Sequence, residues 1–411
     1  MGEILFLAHR MPFPPDRGDK IRSCHVLRHL ASLAPVHVAT FAESDKDLAE
    51  EPQLAALAAS HCLVRRTKPV PLAGVEALLK HRPVSLTAFH SAKLAAYVRH
   101  VLDHSPVDTI YVFSGQMGQY IPDDFTGRVI LDFVDVDSAK FEAYAQSGAG
   151  PRAWLDAREG RLLGAEEVRL ARRADVSLLV SDEEAALFAA RLSPSDWANC
   201  DVRALRNGID SQLFDLAAVQ PEPRLLDCTG PRLIFTGQMD YPPNIAAAQR
   251  GIERLMPRIR AVLPDATFHV VGRNPPEALR ALDGVNGSRV WGEVDDIRTW
   301  LAGADLALVP LELARGVQNK VLEAMAMCLP VVLTPSAATG IGASHARNLM
   351  IADDDDALIE AALVLAKDAM LARLIGQQAR AHVVGTLSWQ ATMAPLAAML
   401  GRAEGLARHA A

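Results

Sequence analysis

Strand-like and helix-like segments alternate along most of this 411-residue chain, and this alternation limits the possible fold more than any other feature. In the first half, the short apolar runs typical of strands lie at residues 3–8, 36–41, 109–114, 128–137 and 175–181. A segment with helical spacing at 20–33 connects the first two runs. This order of elements predicts an open parallel sheet covered by helices.

The alternation stops once and then restarts. RNGID (206–210) is a turn signal, and the residues after it include two prolines and show no clear period. Strand-like runs then return at 232–237, 266–272, 288–292, 305–310 and 329–334. We therefore predict an α/β fold with two doubly wound, Rossmann-like domains at 1–210 and 211–387, followed by a helical tail at 388–411 that packs back on the first domain.

Composition narrows the class of protein. Apolar residues make up 50% of the chain and charged residues 22%, as in ordinary globular proteins. The formal charge of −7 offers no bulk attraction for nucleic acid. Five scattered cysteines without a C-x-x-C pair indicate neither a disulfide framework nor a zinc site. We read the opening MGEILFLAHR as a strand rather than a signal peptide, and we expect a cytoplasmic protein.

The stretch ARGVQNKVLEAMAMCLPVVLT (314–334) carries the clearest chemical signal. It predicts a helix that begins at the carboxyl edge of a parallel sheet, where open α/β folds bind ligands. Gly316 allows close backbone approach, and the N–H groups at the helix start suit an anion. Lys320 adds a positive charge for a phosphate or diphosphate, and Glu323, one turn later, suits a ribose diol. A plain surface salt bridge between Lys320 and Glu323 is the alternative interpretation.

Several segments together resemble a known enzyme family. The pattern G-V-x-N-K-x-x-E-A-M-A-x-x-x-P-V-V resembles the nucleotide-sugar site of GT-B glycosyltransferases, especially the retaining family 4 group. RNGID, LIFTGQMDYPPN (233–244), FHVVGRNP (268–275) and VWGEVDDIRTWLAGADLALVP (290–310) are similar to further motifs of that group. With HRMPFPPDRGDKIRS and DFVDVDS, the pattern is closest to sugar transferases of bacterial exopolysaccharide and exosortase (PEP-CTERM) loci.

The resemblance implies two domains that face each other across a cleft, with a nucleoside-diphosphate sugar held by the second domain. Lys320 would neutralise the leaving diphosphate, Glu323 would hold the ribose, and Gly237 would let its loop approach the phosphates. The turn from Gly292 to Val294 would contact the base. The helix start would contribute the residues Gly316, Val317, Gln318 and Asn319. No metal or other cofactor is expected.

This sequence departs from the family pattern at two places. The first loop of the second domain has no Arg or Lys, and Arg273 is our candidate to replace that charge. The family has two glutamates eight residues apart. Glu323 matches the later one, but Arg315 occupies the position of the earlier one, and Glu312 lies three residues before Arg315. Arg315 would then bind the diphosphate or a carboxylate on the sugar.

Two further groups of residues are candidates in the first domain. PPDRGDKIRS predicts a loop whose Arg17, Gly18, Lys20 and Arg22 face the donor phosphates or acceptor, with a solvated charged loop as the alternative. DFVDVDS ends a predicted strand, and there we expect Asp135, or else Asp137, to orient the acceptor hydroxyl or the sugar. The alternatives for this pair are a D-x-D metal site and capping of the next helix.

Residues 60–104 contain seven Lys or Arg residues against Glu76 and Asp103. This basic surface suits an anionic membrane that carries a lipid-linked acceptor, although an ordinary solvated face is the alternative. No run reaches about 18 uninterrupted apolar residues, so we expect peripheral contact and no span.

The sequence thus predicts a glycosyltransferase that moves a sugar from a nucleoside-diphosphate sugar to a glycan or lipid-linked acceptor in cell-surface glycan synthesis. The alternatives are a GT-B-shaped nucleotide-sugar epimerase and a non-catalytic nucleotide-sugar-binding partner. An NAD oxidoreductase is disfavoured because no G-x-G-x-x-G follows the first strand.

Overall fold

The computed structural model describes residues 2–314 and 316–402 and, for Val70, the backbone alone. The chain divides into two compact units. The first comprises the residues up to Asn207 and those from Met393 onward, and the second comprises Gly208–Thr392. The unit boundary therefore falls three residues before the predicted one at 210.

The described part of the first unit is built on a parallel sheet. Its strands, in chain order, are β1 (Glu3–Ala8), β2 (Val36–Ala42), β3 (Ser60–Arg65), β4 (Val107–Phe113), β5 (Arg128–Val134), β6 (Val176–Leu179) and β7 (Val202–Ala204). The spatial order is β3-β2-β1-β4-β5-β6-β7, and each neighbouring pair is parallel. The order reverses between β1 and β4, which makes their carboxyl ends the switch point of this sheet.

Helices cover both faces of this sheet, and the central strands are nearly continuous apolar runs as a result. They are α1 (Gly18–Leu33), α2 (Asp45–Ala49), α3 (Glu51–Leu57), α4 (Val70–Leu79), α5 (Val84–Ala88), α6 (Ala92–His104), α7 (Asp137–Ser147), α8 (Gly150–Arg173), α9 (Asp182–Ala190) and α10 (Pro194–Trp197). Every residue of β2 is buried, for example, although it includes His37 and Thr40.

The second unit repeats the same plan. Its strands are β8 (Arg232–Thr236), β9 (Thr267–Val271), β10 (Ser288–Gly292), β11 (Leu306–Val309), β12 (Val331–Leu333) and β13 (Met350–Ile351), in the spatial order β10-β9-β8-β11-β12-β13. All neighbouring pairs are parallel. Its helices are α11 (Pro223–Leu226), α12 (Pro242–Arg250), α13 (Met256–Val262), α14 (Glu277–Arg280), α15 (Ile297–Gly303), α16 (Asn319–Ala326), α17 (Pro335–Ala338), α18 (Asp355–Lys367) and α19 (Ala369–Thr386).

The last described helix, α20 (Trp389–Met399), leads the chain from the second unit into the first. Arg128 donates a 2.9 Å hydrogen bond from Nη1 to the carbonyl of Met399. The Arg402 guanidinium donates to Asp108 at 2.6 Å and to the carbonyl of Gly2 at 3.0 Å. These contacts tie residues 399–402 to the first sheet. The last part of the predicted tail, residues 403–411, lies outside the described residues.

The predicted architecture of two doubly wound parallel sheets is confirmed. Ten predicted strand-like runs correspond to β1, β2, β4–β6 and β8–β12, and the sequence reading missed β3, β7 and β13. Within the described ranges, no helix combines the length and apolar character needed to cross a membrane.

Candidate functional site

Helix α16 begins at the switch point of the second sheet. Strand order reverses between β8 and β11, so the loops after these two strands diverge and leave space at the carboxyl edge. The loop after β11 leads into α16, whose first residue is Asn319 and whose N-cap, Gln318, makes no side-chain capping bond. A helix start leaves its first amide groups without intrahelical acceptors, so the amides of Asn319 and Lys320 suit an anion.

Lys320 is anchored to the loop and helix that follow β8. Its Nζ donates to Oδ1 of Asn244 at 2.9 Å and to Oε1 of Gln318 at 3.2 Å. Asn244 is buried in the first turn of α12, where its Nδ2 donates to the carbonyl of Gln238 at 2.9 Å. The hydrogen bonds of Lys320 thus go to uncharged amides rather than to Glu323, and the simple surface salt bridge is not what the structure contains.

Burial changes the pKa of both charged groups on α16. It lowers the pKa of Lys320 to about 8, although the nearby Glu323 carboxylate opposes the shift. Burial also raises the pKa of Glu323, with Lys320 opposing. Each group therefore lacks the solvation that it would have in water, and both would gain from a ligand that offers complementary charge and hydrogen bonds.

Three glycines let the ends of β8, β9 and β10 meet closely. The amide of Gly237 donates to the carbonyl of Val271 at 3.1 Å, and the amide of Gly272 donates to Gly292 at 2.8 Å. A Cβ built on Gly272 would lie 1.6 Å from the carbonyl oxygen of Gly237, so no side chain fits there. A Cβ on Gly237 would lie 3.2 Å from Cε of Lys320. Gly237 therefore allows the lysine stem to run over the loop after β8.

The residues just before α16 form its entry loop. Gly316 has φ of 64° and an open environment, while Val317 packs against Gly340. Gln318 donates to the carbonyl of Gly316 at 3.1 Å, and Asn319 is exposed at the helix start. These residues surround the helix start as predicted from their order in the chain. Arg315, proposed as a further donor contact, lies outside the described residues.

Two candidate residues lie on neighbouring loops of the same edge. Arg273 is exposed in the loop after β9, and its carbonyl accepts a 2.9 Å bond from the amide of Met239 in the loop after β8. Val294 follows Gly292, is half-buried and packs against the core of the unit. Glu312 is exposed and lies 3.9 Å from the guanidinium of Arg254, so its carboxylate is drawn toward α12–α13.

In the first unit, Asp135 and Asp137 flank the start of α7 at the carboxyl end of β5. Lys140 lies between them, with Nζ 3.2 Å from Asp137 and 4.0 Å from Asp135. Burial raises the pKa of Asp135, while Lys140 opposes the shift. The N-cap of α7 is Val136, without a side-chain cap, so neither aspartate caps this helix by hydrogen bonding.

Two glutamates hold this aspartate segment in place. The amide of Val136 donates to Glu184 at 2.8 Å, and the amide of Ser138 donates to Glu167 at 2.9 Å. Val134, at the end of β5, has φ of 71°, which is strained for a β-branched residue. A segment that is strained and over-determined in this way is a common feature of functional loops.

The basic residues of PPDRGDKIRS, at the start of α1, bind carboxylates within the first unit. Arg22 is buried and donates from Nε and Nη2 to Asp132 at 3.0 and 3.1 Å, and its Nη1 donates to Asn207 at 2.9 Å. Lys20 is buried and donates to Asp47 at 2.7 Å. Their charges are therefore already matched, and we do not carry these two residues forward as phosphate ligands.

Arg17 is exposed but also pairs, with Glu43 at 2.7 Å and Asp19 at 3.1 Å. Gly18, the first residue of α1, has open space around it. Of the four residues proposed in PPDRGDKIRS, only Arg17 and Gly18 are exposed to solvent.

The sequence reading missed Asn244 and Glu167. Asn244 follows the two prolines that begin α12. The prolines signal a helix start, but the sequence does not show that the side-chain amide of Asn244 contacts Lys320. Glu167 lies on α8 and gives no motif signal, because only the tertiary fold brings it to Ser138.

Comparison with known proteins agrees with this geometry. Residues 230–368 match the sequence model of the family described as Glycosyl transferases group 1. This range contains the three glycines at the ends of β8, β9 and β10, together with Asn244, Lys320 and Glu323. Most of the second unit is thus similar to group 1 glycosyltransferases, and the predicted enzyme class is confirmed. A comparison with curated proteins found no match.

Solved structures share the whole fold. HepE from Anabaena, in complex with UDP and glucose, is 16% identical with a TM-score of 0.59, over 98% of this chain and all of the other. Sucrose-phosphate synthase from Thermosynechococcus elongatus is 17% identical with a TM-score of 0.56, over 100% of this chain and 99% of its own. WaaG, described as a glycosyltransferase involved in lipopolysaccharide biosynthesis, is 18% identical with a TM-score of 0.53, over 97% of this chain and all of the other. The chain therefore has the GT-B fold.

Proposed function

We propose that this protein transfers a sugar from a nucleoside-diphosphate sugar to a glycan or lipid-linked acceptor. The observation that carries the proposal is the position of Lys320, held by Asn244 at the start of α16 and beside Gly237. A lysine with two amide partners retains its full charge for a ligand, and the helix start adds oriented amide groups. Together they suit a phosphate-bearing anion, such as the diphosphate of the donor, better than a neutral group.

In this reaction the bond between the anomeric carbon and the diphosphate oxygen breaks, and a bond from that carbon to the acceptor oxygen forms. The diphosphate leaves with the electrons of the broken bond and the negative charge, and its departing oxygen accepts the proton of the acceptor hydroxyl. Lys320 and the α16 amides stabilise that charge as it develops. Because they supply positive charge at the leaving group, the proposal includes no metal ion.

The remaining roles are proposed from the resemblance to the GT-B group. Glu323 holds the ribose hydroxyls, and the turn from Gly292 to Val294 meets the base. Arg273 supplies positive charge for the phosphates, and Arg315, whose structure is not described, stays a proposed ligand of the diphosphate or of a carboxylate on the sugar. Asp135, held at the end of β5 by Glu184 and Glu167 through its neighbours, orients the acceptor or the sugar, with Asp137 as the second candidate.

We further propose that the configuration at the anomeric carbon is retained and that the product belongs to a bacterial exopolysaccharide or another cell-surface glycan. The resemblance to the retaining family 4 group and its exopolysaccharide subgroup supports both statements. The proposal places the protein in the cytoplasm, in peripheral contact with the membrane that carries the acceptor.

A thermal-shift panel of UDP, GDP, ADP and CMP, with their sugars, tests the donor site. Because the HepE structure contains UDP, uridine nucleotides are the first to try. The proposal expects a rise in Tm with one diphosphate family, and loss of that rise in Lys320→Ala. Lys367→Ala, which removes an exposed lysine at the end of α18, is the control and keeps the rise. A panel without any shift contradicts the donor site.

A further inference from the structure

Helix α4 in the first unit presents its large side chains outward. Ala73 and Ala77 face the interior and are fully buried, whereas Leu72, Val75 and Leu79 are 58%, 57% and 78% exposed. These three residues follow the spacing i, i+3, i+7, so they form one stripe along the helix. A helix that buries alanines and exposes leucines is inverted relative to an ordinary surface helix, and its outer stripe needs a partner.

The start of α8 extends this apolar surface. Arg158 donates from Nη2 to the carbonyl of Ala77 at 2.9 Å and to that of Arg82 at 3.3 Å, which holds α8 against the end of α4. Trp154, one turn before Arg158, is 60% exposed, and Leu155 beside it is also exposed. The stripe of α4 and these two residues thus belong to one surface, which we call the α4–α8 face.

Lysines and arginines flank the α4–α8 face. The acid of α4, Glu76, is matched by Lys68 at 2.9 Å and Lys80 at 2.8 Å. On α8, Arg152 lies three residues before Leu155, and Arg161 lies seven residues after Trp154. Both arginines are exposed. Residues 60–104 contain seven Lys or Arg and two acids, in a chain whose formal charge is −7. Three of these cations, Arg65, Arg66 and Arg99, pair with acids outside this range. At the face itself, Lys68 and Lys80 exceed Glu76 by one positive charge, and Arg152 and Arg161 add two against the half-buried Asp156 of α8.

We propose that the α4–α8 face binds the surface of an anionic lipid bilayer. The apolar stripe enters the boundary between headgroups and acyl chains, Trp154 lies at headgroup level, and the flanking cations meet anionic headgroups. An apolar stripe and a basic rim supply the two signals that stable peripheral binding requires. The inference rests on the membrane contact in the proposed function and is independent of the donor site.

Flotation of the full chain with vesicles tests the inference. Vesicles of phosphatidylcholine alone are compared with vesicles that also contain phosphatidylglycerol. The wild type is expected to float with the anionic vesicles and to bind the neutral ones at least about tenfold more weakly. Failure to float with anionic vesicles, or equal binding to both, overturns the proposal.

Two variants assign the binding to this face. Leu72→Ser/Val75→Ser/Leu79→Ser is expected to weaken binding about tenfold or more, because the apolar contribution is lost. The control Leu226→Ser/Met370→Ser/Leu374→Ser removes three exposed apolar residues of the second unit and binds like the wild type. Equal binding by the α4 variant and the wild type overturns the proposal.

A charge variant covers the case in which the α4 variant does not fold. Arg152→Gln/Arg161→Gln changes only exposed side chains, and each lost charge is expected to weaken binding to anionic vesicles about fivefold. The control Arg289→Gln/Arg347→Gln changes exposed arginines of the second unit and leaves binding intact. The nucleotide thermal shift is measured on the same samples. A variant that loses membrane binding but keeps nucleotide binding shows that the effect is confined to the α4–α8 face and leaves the donor site intact.

Discussion

The ammonium group of Lys320 lies 2.9 Å from Oδ1 of Asn244, a residue on a different helix and 76 positions earlier in the chain. The contact holds the lysine at the switch point of the second sheet without neutralising it. A carboxylate in place of the amide would fix the position equally well but would cancel the charge. The pairing of a lysine with an amide is therefore suited to a site that must later receive an anion.

Diphosphate affinity should fall as the pH rises above about 8. Burial lowers the pKa of Lys320 to about 8, and only the protonated form attracts the anion. Affinity is thus constant below that pH and falls about tenfold per unit above it, until the higher pKa of the complex is reached. Isothermal titration calorimetry across this range measures the break. Lys320→Arg stays charged across this range, so its affinity should not fall above pH 8. If the affinity of this variant still falls there, the change belongs to another group.

Glu323 should recognise the ribose. If its carboxylate accepts hydrogen bonds from the ribose hydroxyls, Glu323→Ala weakens nucleotide binding by about tenfold to a hundredfold, because each such charge-assisted bond contributes about 1.5–3 kcal/mol. The wild type should also prefer the ribonucleotide over its 2′-deoxy form, and the variant should lose that preference. An unchanged preference in Glu323→Ala would place the ribose elsewhere.

Removing one partner of the buried Arg22–Asp132 pair should destabilise the first unit strongly. Asp132→Asn leaves the fully buried Arg22 charge uncompensated, and we expect a loss of about 3–5 kcal/mol in urea unfolding. Asp124→Asn breaks the exposed pair with Arg99 and is the control, with little expected effect. Equal losses in the two variants would contradict the structural role that we assign to Arg22.

The stability of the first unit should also depend on Glu167. Burial raises the pKa of this carboxyl from 4.5 to about 7, despite the bonds from Ser138, while Asp137 adds to the shift and Arg191 opposes it. Between these two pH values the Glu167 carboxyl is ionised in the unfolded chain and protonated in the folded chain. Rising pH therefore costs the fold up to about 1.4 kcal/mol per unit, with no further effect of this group below 4.5 or well above 7.

Glu167→Gln stays neutral and should lack this slope. Urea unfolding of both proteins at several pH values measures the difference between them. If the difference in unfolding free energy between wild type and Glu167→Gln does not change with pH, Glu167 is ionised in the folded protein across this pH range, and the prediction is wrong.

The strands that sequence reading missed share one property. β3, β7 and β13 are all at edges of their sheets, where one side has no neighbouring strand. β7 and β13 have only three and two residues, and β3 mixes polar and apolar positions. The central strands are covered on both faces and must be apolar, which is why their composition revealed them.

The site was predictable where chain order determines position. A helix that follows a parallel strand begins at the carboxyl edge, so the place of Lys320 and Glu323 follows from the sequence pattern. Their surroundings do not follow from it. The charges of Lys20 and Arg22 are visible in the sequence, but their partners Asp47 and Asp132 are not, because the fold alone brings them together.

The contact of Lys320 with the diphosphate is the central claim, and a comparison of two ligands tests it most directly. Isothermal titration calorimetry compares the nucleoside diphosphate selected by the panel with its nucleoside, using wild type, Lys320→Ala and the control Lys367→Ala. The account predicts that Lys320→Ala weakens the diphosphate about tenfold or more and leaves the nucleoside unchanged, while the control alters neither. Equal weakening of both ligands, or no weakening of the diphosphate, would contradict the claim.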